Sequence, residues 1–227
     1  MHWKGLSLAL ALGALSAATV SGASARDITP DAPLPRACGY DRAGMLAMPF
    51  ERFDQDFAEG WRPLADRPGC ELAAAEVLAA YRVENSPRLS SGESRLLAWH
   101  EGQLRAMVGD IPDAITLITI ARAGDTDLVN SLYADATLAF LRHDRRALKA
   151  ARRRLAALPK PEGFDQQAAD AAKRLGQTVS WPPNLDVVDG LAVCFKRPYA
   201  EAYGAACRHK AGGVRTTRLA HRGWKFL

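Results

Sequence analysis

Residues 99–121 read "WHEGQLRAMVGDIPDAITLITIA" and contain two helical patterns joined by a two-residue turn. The first pattern runs from about Ser91 to Val108. The second places five apolar residues on one helical face: Ile111, Ala114, Ile115, Ile118 and Ala121. Because so short a link leaves two helices antiparallel, the stretch predicts a helical hairpin.

The turn has residues suited to ending one helix and beginning the next. Gly109 tolerates the left-handed conformation that closes a helix. We expect Asp110 to accept hydrogen bonds from the free amides of the second helix. Pro112 lies in the first turn of that helix, where its missing N–H costs no hydrogen bond.

The same layout recurs about 34 residues later in the chain. This shift pairs residues of similar type: Trp99 with Tyr133, Glu101 with Asp135, Gly102 with Ala136, Leu104 with Leu138, Met107 with Leu141 and Asp110 with Asp144. A period of 34 with two helices per unit is that of the tetratricopeptide repeat, and residues 95–157 resemble this family.

Small residues support the resemblance, because in this family they allow the two helices of a unit to pack closely. The matching positions here are Gly102, Ala114, Ala121 and Ala136. In the second unit, Leu148 and Leu155 replace the small residues that the family pattern expects. The resemblance implies an all-α fold of tetratricopeptide-like antiparallel hairpins stacked in an α-α superhelix.

Helical patterns also flank the repeat. Apolar residues in steps of three and four predict one helix from near Pro49 and a second one after it: Phe50, Phe53, Phe57, Trp61 and Leu64, then Ala74, Val77, Leu78 and Tyr81. A further helix is expected over 164–175. Residues 185–208 predict two short helices, with a strand over 185–195 as the alternative. We interpret the part from about residue 181 as a disulfide-tied helical C-terminal cap.

The first 25 residues have the layout of a secretory signal peptide, with Lys4, an apolar run over 6–20 and "ASA" at 23–25. A membrane anchor is the alternative, but the run is shorter than the roughly 20 apolar residues that span a bilayer. We expect four parts: a signal peptide (1–25), an extended N-terminal segment (26–48), a helical-repeat domain (49–209) and a basic, disordered tail (210–227). The product would be periplasmic or secreted, with no transmembrane segment after signal removal.

Four cysteines in an exported chain favour disulfide bonds over free thiols, because oxidising compartments preserve them. Of the three connectivities, Cys38 with Cys70 and Cys194 with Cys207 is preferred, because each pair brackets one helix and a turn. Four buried thiols are the alternative.

Motifs for chemistry are absent from the sequence. The "HE" at His100 and Glu101 would begin a zinc-protease helix only if a second histidine followed at the fifth position, where Leu104 stands. No nucleotide-binding or nucleophile motif occurs, so the sequence predicts no catalytic residue, no metal site and no cofactor. Asp54 and Asp56 are interpreted as a solvated face between core phenylalanines.

The one concentration of charge is "RHDRRALKAARRR" at 142–154, in a chain whose net charge is only +5. It predicts a positive stripe beside an apolar face formed by Leu148, Ala151, Leu155 and Leu158. A solvated surface and a binding site for an anionic envelope component are both open interpretations. Nucleic acid is disfavoured, because no aromatic residues interleave the cations.

The leading hypothesis is an exported, noncatalytic protein-interaction scaffold that binds a protein or peptide partner. Its candidate contacts are His100, Gln103 and Arg105, with Arg145, Arg146, Lys149 and Arg152 on the positive stripe. One alternative is an envelope-polymer hydrolase with a dispersed site that includes His100, Glu101 and Asp135. Another is a basic protein that adheres to an anionic envelope surface.

Overall fold

The structure, a computed structural model, describes residues 38–175 and 180–211. All regular structure in these ranges is helical, which confirms the all-α expectation. The helices are α1 (Arg42–Leu46), α2 (Arg62–Ala65), α3 (Glu71–Glu84), α4 (Ser91–Val108), α5 (Ile111–Arg122), α6 (Leu128–Leu141), α7 (Arg145–Ala156), α8 (Phe164–Leu175), α9 (Leu185–Val193), α10 (Tyr199–Tyr203) and α11 (Ala205–Lys210), and a π-helical turn covers Glu51–Gln55. None of these helices has both the length and the apolar composition needed to cross a membrane.

The predicted terminal segments are described only in part. The signal peptide, 1–25, lies outside the described residues, as does the predicted tail from residue 212. Lys210 belongs to the last helix, α11. The extended segment predicted over 26–48 is wrong in its described part, because Arg42–Leu46 is helical. The side chain of Asp41 caps this helix by accepting a hydrogen bond from the Gly44 amide at 2.9 Å.

The single helix predicted from Pro49 to Leu64 is broken in the structure. The chain leaves the π-helical turn at Asp56, which is extended, and Gly60 has a φ of +62°. A Cβ at residue 60 would lie 1.9 Å from the Phe53 carbonyl oxygen, so only glycine fits this position. The apolar spacing predicted Phe57 in the core, but it is 39 % exposed.

Two smaller expectations also need correction. Residues 185–193 form helix α9, so the strand alternative is wrong. The side chain of Asp110 accepts no capping hydrogen bond at the start of α5. Its carboxylate instead lies 3.5 Å from the Arg105 guanidinium, which attracts it away from the free amides.

Both favoured disulfides are present and join Cys38 to Cys70 and Cys194 to Cys207. The disulfides close loops of 32 and 13 residues and so lower the conformational entropy of the unfolded chain. This stabilises the fold by roughly 3 to 4 kcal/mol for each bond. Two disulfides are compatible with a location outside the cytoplasm, where oxidising conditions preserve them.

The α4–α5 and α6–α7 hairpins share the geometry of their turns. Gly109 and His143 lie in the turns of the two hairpins, and both have a positive φ, of 85° and 56°. Helices α5 and α7 each contain 12 residues and begin at equivalent places, directly after Asp110 and Asp144. The same backbone hydrogen bond closes both turns, from Asp110 N to Arg105 O at 2.9 Å and from Asp144 N to Ala139 O at 2.8 Å.

Helix α4 lies between two hydrophobic cores. Leu97 and Leu104 pack into a core with α3 and the N-terminal elements. Ala98 and Trp99 belong to a second core, which α5, α6, α7, α9 and α10 complete. Because α4 is covered on both of these sides, its polar residues over 100–103 are buried with its apolar ones.

The backbones of α4 and α5 approach closely at Gly102. A Cβ at this position would lie 2.8 Å from Ile118 Cγ1, 3.1 Å from Leu117 Cβ and 3.3 Å from the Ala114 carbonyl oxygen. The alanines assigned to the same close packing, Ala114, Ala121 and Ala136, are 0, 8 and 0 % exposed. Gly102 therefore fills the crossing point of the hairpin, where any side chain displaces α5.

We expect Gly102→Ala to lower the free energy of unfolding by about 1 to 3 kcal/mol, because the added methyl overpacks the α4–α5 contact. Urea denaturation measures the loss. Gly92→Ala in the same helix is the matched control, since a Cβ there meets only Ser90 Oγ at 3.9 Å. An equal change in the free energy of unfolding of both variants would show that helix propensity, and not packing, determines the effect of the substitution at residue 102.

Candidate functional site

A groove of about 260 Å³ lies between α4, the end of α5 and the start of α6. Its lining combines cationic, acidic, aromatic and amide side chains, chiefly Arg95, Trp99, Arg122, Asp125, Asn130 and Tyr133. The groove therefore lies between the first helices of the two hairpins, and the end of α5 lines it as well.

The start of α4 is fixed by a capping box. The Ser90 side chain accepts from the Glu93 amide at 3.2 Å, and the Glu93 carboxylate accepts from the Ser90 amide at 2.7 Å. Arg95 and Trp99 follow on one face of the helix, four residues apart. Trp99 meets Tyr133 of α6 edge to face, with ring centroids 5.1 Å apart, so the aromatic pair joins the two walls of the groove.

Arg95 is the available cation of this groove. The neighbouring Arg122 donates to Asp135 at 2.9 Å, and the Asp125 carboxylate accepts from the Asp127 amide at 2.9 Å. Arg95 is half-buried and forms no hydrogen bond or ion pair with any residue that the structure describes. Its guanidinium can therefore bind a carboxylate or carbonyl group of a molecule in the groove.

A second polar cluster, without access to solvent, surrounds Asp54. This carboxylate is 0 % exposed, which contradicts the solvated face inferred from the sequence. Its Oδ1 accepts from Trp61 Nε1 at 2.9 Å and pairs with His100 Nδ1 at 2.6 Å. Its Oδ2 accepts from Gln55 at 2.6 Å, and Arg62 Nε donates to the Asp54 carbonyl at 2.9 Å.

The protonation states of this cluster follow from its contacts. Burial raises the pKa of Asp54, but the interactions with His100, the charge of Arg62 and the Trp61 hydrogen bond outweigh it, so the net pKa is lowered. Burial lowers the pKa of His100 below its ordinary value, despite the opposing Asp54 carboxylate. Asp54 is thus ionised, and the neutral His100 donates from Nδ1.

A third cluster joins α4 and α6 to α10 through tyrosine hydroxyls. Gln103 Nε2 donates to Tyr133 at 3.3 Å and to Tyr199 at 3.5 Å. Tyr203 hydrogen-bonds to Tyr133 as well, and burial raises the pKa of all three phenols. These uncharged phenols anchor the C-terminal helices to the hairpins.

The interface between α3 and α4 contains a network of charged residues. Arg82 of α3 donates to Glu101 of α4 at 2.9 Å, so this pair joins the two helices. Arg105 lies 2.7 Å from Glu76 and 3.6 Å from Glu101. Burial raises the pKa of Glu101 against the lowering effect of both arginines.

The contacts inferred on α4 need correction. His100 and Gln103 are both 0 % exposed, so neither can touch a partner at the surface. The side chain of Arg105 is only 12 % exposed and is held by carboxylates of this chain. These residues face inward because α4 lies between two cores, which a pattern read from one helix does not reveal.

The basic residues of α7 have a different placement. Arg145, Arg146 and Lys149 are exposed. Arg152 is partly buried and forms an ion pair with Asp189 of α9. The first three remain accessible to a partner.

The dispersed hydrolase site is not assembled. His100 pairs with Asp54, Glu101 with Arg82, and Asp135 with Arg122, so the three candidates belong to separate interactions. The Asp54–His100 pair is itself closed to any substrate by its burial. Within the described ranges, no group of histidine, cysteine and acidic side chains is placed to hold a metal ion.

Sequence reasoning missed Asp54, Arg62, Tyr199 and Tyr203 as partners in the buried clusters. Two spacings contain the relevant signal. Asp54 and Trp61 are seven residues apart, and Tyr199 and Tyr203 are four apart, which would place each pair on one side of a helix. For the tyrosines this inference holds, whereas the first pair meets across a broken helix.

The sequence matches no protein-family model, and comparisons with curated proteins and with solved structures give no match either.

We expect Asp54→Asn to lower the free energy of unfolding by about 3 kcal/mol, because it leaves the Arg62 charge without its buried counter-charge and sets an NH₂ group against other donors. Urea denaturation of the variant measures this. Asp56→Asn is the matched control, since among the described residues Asp56 accepts only from the Ala58 amide near the surface. Similar losses in both variants would contradict the buried pairing.

We expect stability to fall as the pH drops below about 6.5, the ordinary pKa of histidine, because unfolded His100 binds a proton that the folded state disfavours. His100→Asn keeps a donor for Asp54 but cannot titrate. Unfolding free energies at several pH values from 5 to 7.5 should therefore show a steeper decline in the wild type than in the variant. Glu101, whose pKa shift has the opposite sign, is common to both proteins, so parallel curves would argue against His100.

Proposed function

We propose that this chain is a noncatalytic, tetratricopeptide-like interaction scaffold that binds an extended peptide segment of an exported partner in the groove between α4 and α6. The observation that carries the proposal is the groove itself, in which Arg95 forms no ion pair with a described residue. A peptide is the occupant that best matches a cleft with a cation, an amide and aromatic edges.

The arrangement as stacked repeats is part of the proposal. It is supported by the shared turns at Gly109 and His143 and by two second helices of equal length, which begin at equivalent places in the two units. The close approach at Gly102 gives it a physical basis, because it lets the helices of the first hairpin pack with little separation. In such arrays the first helices of successive units line one surface, which is where this groove lies.

The chemistry of the groove suits an acidic and apolar peptide. Arg95 would pair with a carboxylate through its planar guanidinium. Asn130 is exposed at the groove and can both donate to and accept from a peptide backbone. The rim of Trp99 would pack against an apolar side chain.

The test begins with peptides selected on the immobilised protein from a random peptide library. Their affinities for the wild type and for Arg95→Glu are then compared by fluorescence anisotropy. We expect the variant to bind at least about tenfold more weakly, the effect of losing a charge-assisted pair and adding repulsion. Tryptophan fluorescence should also change on binding, since Trp99 lines the groove.

Arg154→Glu is the matched control, because it makes the same charge change at an exposed arginine outside the groove. Its affinity should equal that of the wild type. Equal weakening in both variants would mean that overall charge governs binding and would refute the groove. Cleavage of the selected peptides, detected by mass spectrometry, would instead favour the hydrolase alternative.

A further inference from the structure

Helix α7 presents a face of positive charge on the outside of the molecule. Its apolar residues Leu148, Ala151 and Leu155 are buried, while five cations are exposed. We call these five the α7 basic face: Arg145, Arg146, Lys149, Arg153 and Arg154. At 3.6 residues per turn, Arg146 and Arg153 point directly away from the buried side, and Lys149 lies beside them on the outward half of the helix.

The charges of the α7 basic face are not neutralised by the part of the chain that the structure describes. None of its five cations forms an ion pair with a described residue, although Arg152 in the same helix pairs with Asp189. Exposed cations elsewhere commonly have an acid beside them, as in Arg42–Glu84, Arg52–Glu59 and Lys160–Asp165. The uncompensated charge is therefore concentrated on one helix of a chain whose net charge is modest.

Helix energetics oppose part of this distribution of charge, whereas Arg153 and Arg154 lie in the last turn, where the helix dipole favours cations. Arg145 and Arg146 stand in the first turn, where the helix dipole favours acids. Lys149 and Arg153 are like charges four residues apart, which repel each other along one face. Arg145 also stacks over the Phe195 ring at 4.5 Å, so its position is fixed by packing. A partner that supplies negative charge would relieve these repulsions.

We propose that the α7 basic face docks this protein on a membrane surface that contains anionic phospholipids. The face is convex and extends along a 12-residue helix of about 18 Å. Neither of the two surface cavities described, the groove and a second one at Tyr40, is lined by α7 residues. A plane of phosphate groups can engage all the outward cations of a convex helix together, without a cleft.

The mode of contact is electrostatic, without insertion. The large apolar residues that are exposed in the described chain all lie outside α7: Phe57, Val83, Val108, Ile120, Leu128 and Val193. No large apolar side chain on the face can therefore enter the hydrocarbon, and no aromatic side chain on it can stack on a nucleobase. Such docking is reversible and sensitive to salt. It is independent of the proposed peptide groove, which other helices form.

The test measures co-sedimentation of the full chain with vesicles that contain about one-third phosphatidylglycerol. The variant Arg146→Gln/Lys149→Gln/Arg153→Gln removes the three outward cations. We expect it to bind roughly 100-fold more weakly, about fivefold for each cation lost. Both proteins have the same N-terminal segment, so the difference in binding reports on α7. Their far-UV circular dichroism should coincide, since all three side chains are exposed.

Arg42→Gln/Arg52→Gln/Lys173→Gln is the matched control, because it removes the same charge at exposed sites on other elements. Retention of its vesicle binding, together with release of the wild type by about 0.5 M salt, would support the proposal. Equal loss in the control variant would overturn it in favour of overall charge. So would wild-type binding to immobilised polyglutamate but not to the vesicles, which indicates an acidic polymer or protein as the partner.

Discussion

The N-terminal half of this fold depends on one buried carboxylate. Asp54 has no contact with water, so protein donors must satisfy its oxygens, and they come from Gln55, Trp61 and His100. Bringing Trp61 back to Asp54 requires the chain to leave the helix at Asp56 and to turn at Gly60. The same carboxylate fixes the N-terminal segment against α4. A single buried charge therefore determines both where the helix is broken and how this segment packs on α4.

Helix α4 transmits this constraint to the rest of the molecule. On one side of α4, His100 pairs with Asp54. On another side, Gln103 donates hydrogen bonds to Tyr133 and Tyr199. Residues 100–103 thus link the N-terminal elements, the two hairpins and the C-terminal helices. The buried polar residues of α4 are occupied by these contacts. Arg95, near the start of the helix, lines the groove and can bind a ligand there.

The sequence predicted those features that depend on local rules. The spacing of apolar residues located α4 and α5, and Gly109 was identified as the left-handed end of a helix. Prediction from the sequence failed where contacts with residues distant in the chain override the local pattern. Phe57 has helical spacing, yet the burial of Asp54 redirects the chain and leaves Phe57 exposed. For the same reason His100 and Gln103 were assigned to the surface, because one helix viewed in isolation does not show that neighbours cover two of its sides. The basic residues of α7 were easier, since exposure of charge is the default.

The disulfide between Cys38 and Cys70 encloses α1, the π-helical turn, α2 and the Asp54 segment in a covalent ring. A protease that cuts the backbone once inside this ring leaves both ends attached to each other. The nicked protein would migrate at full length on a non-reducing gel and divide into two fragments only after reduction. The disulfide would therefore hold the protein together after a single cleavage in this part of the chain.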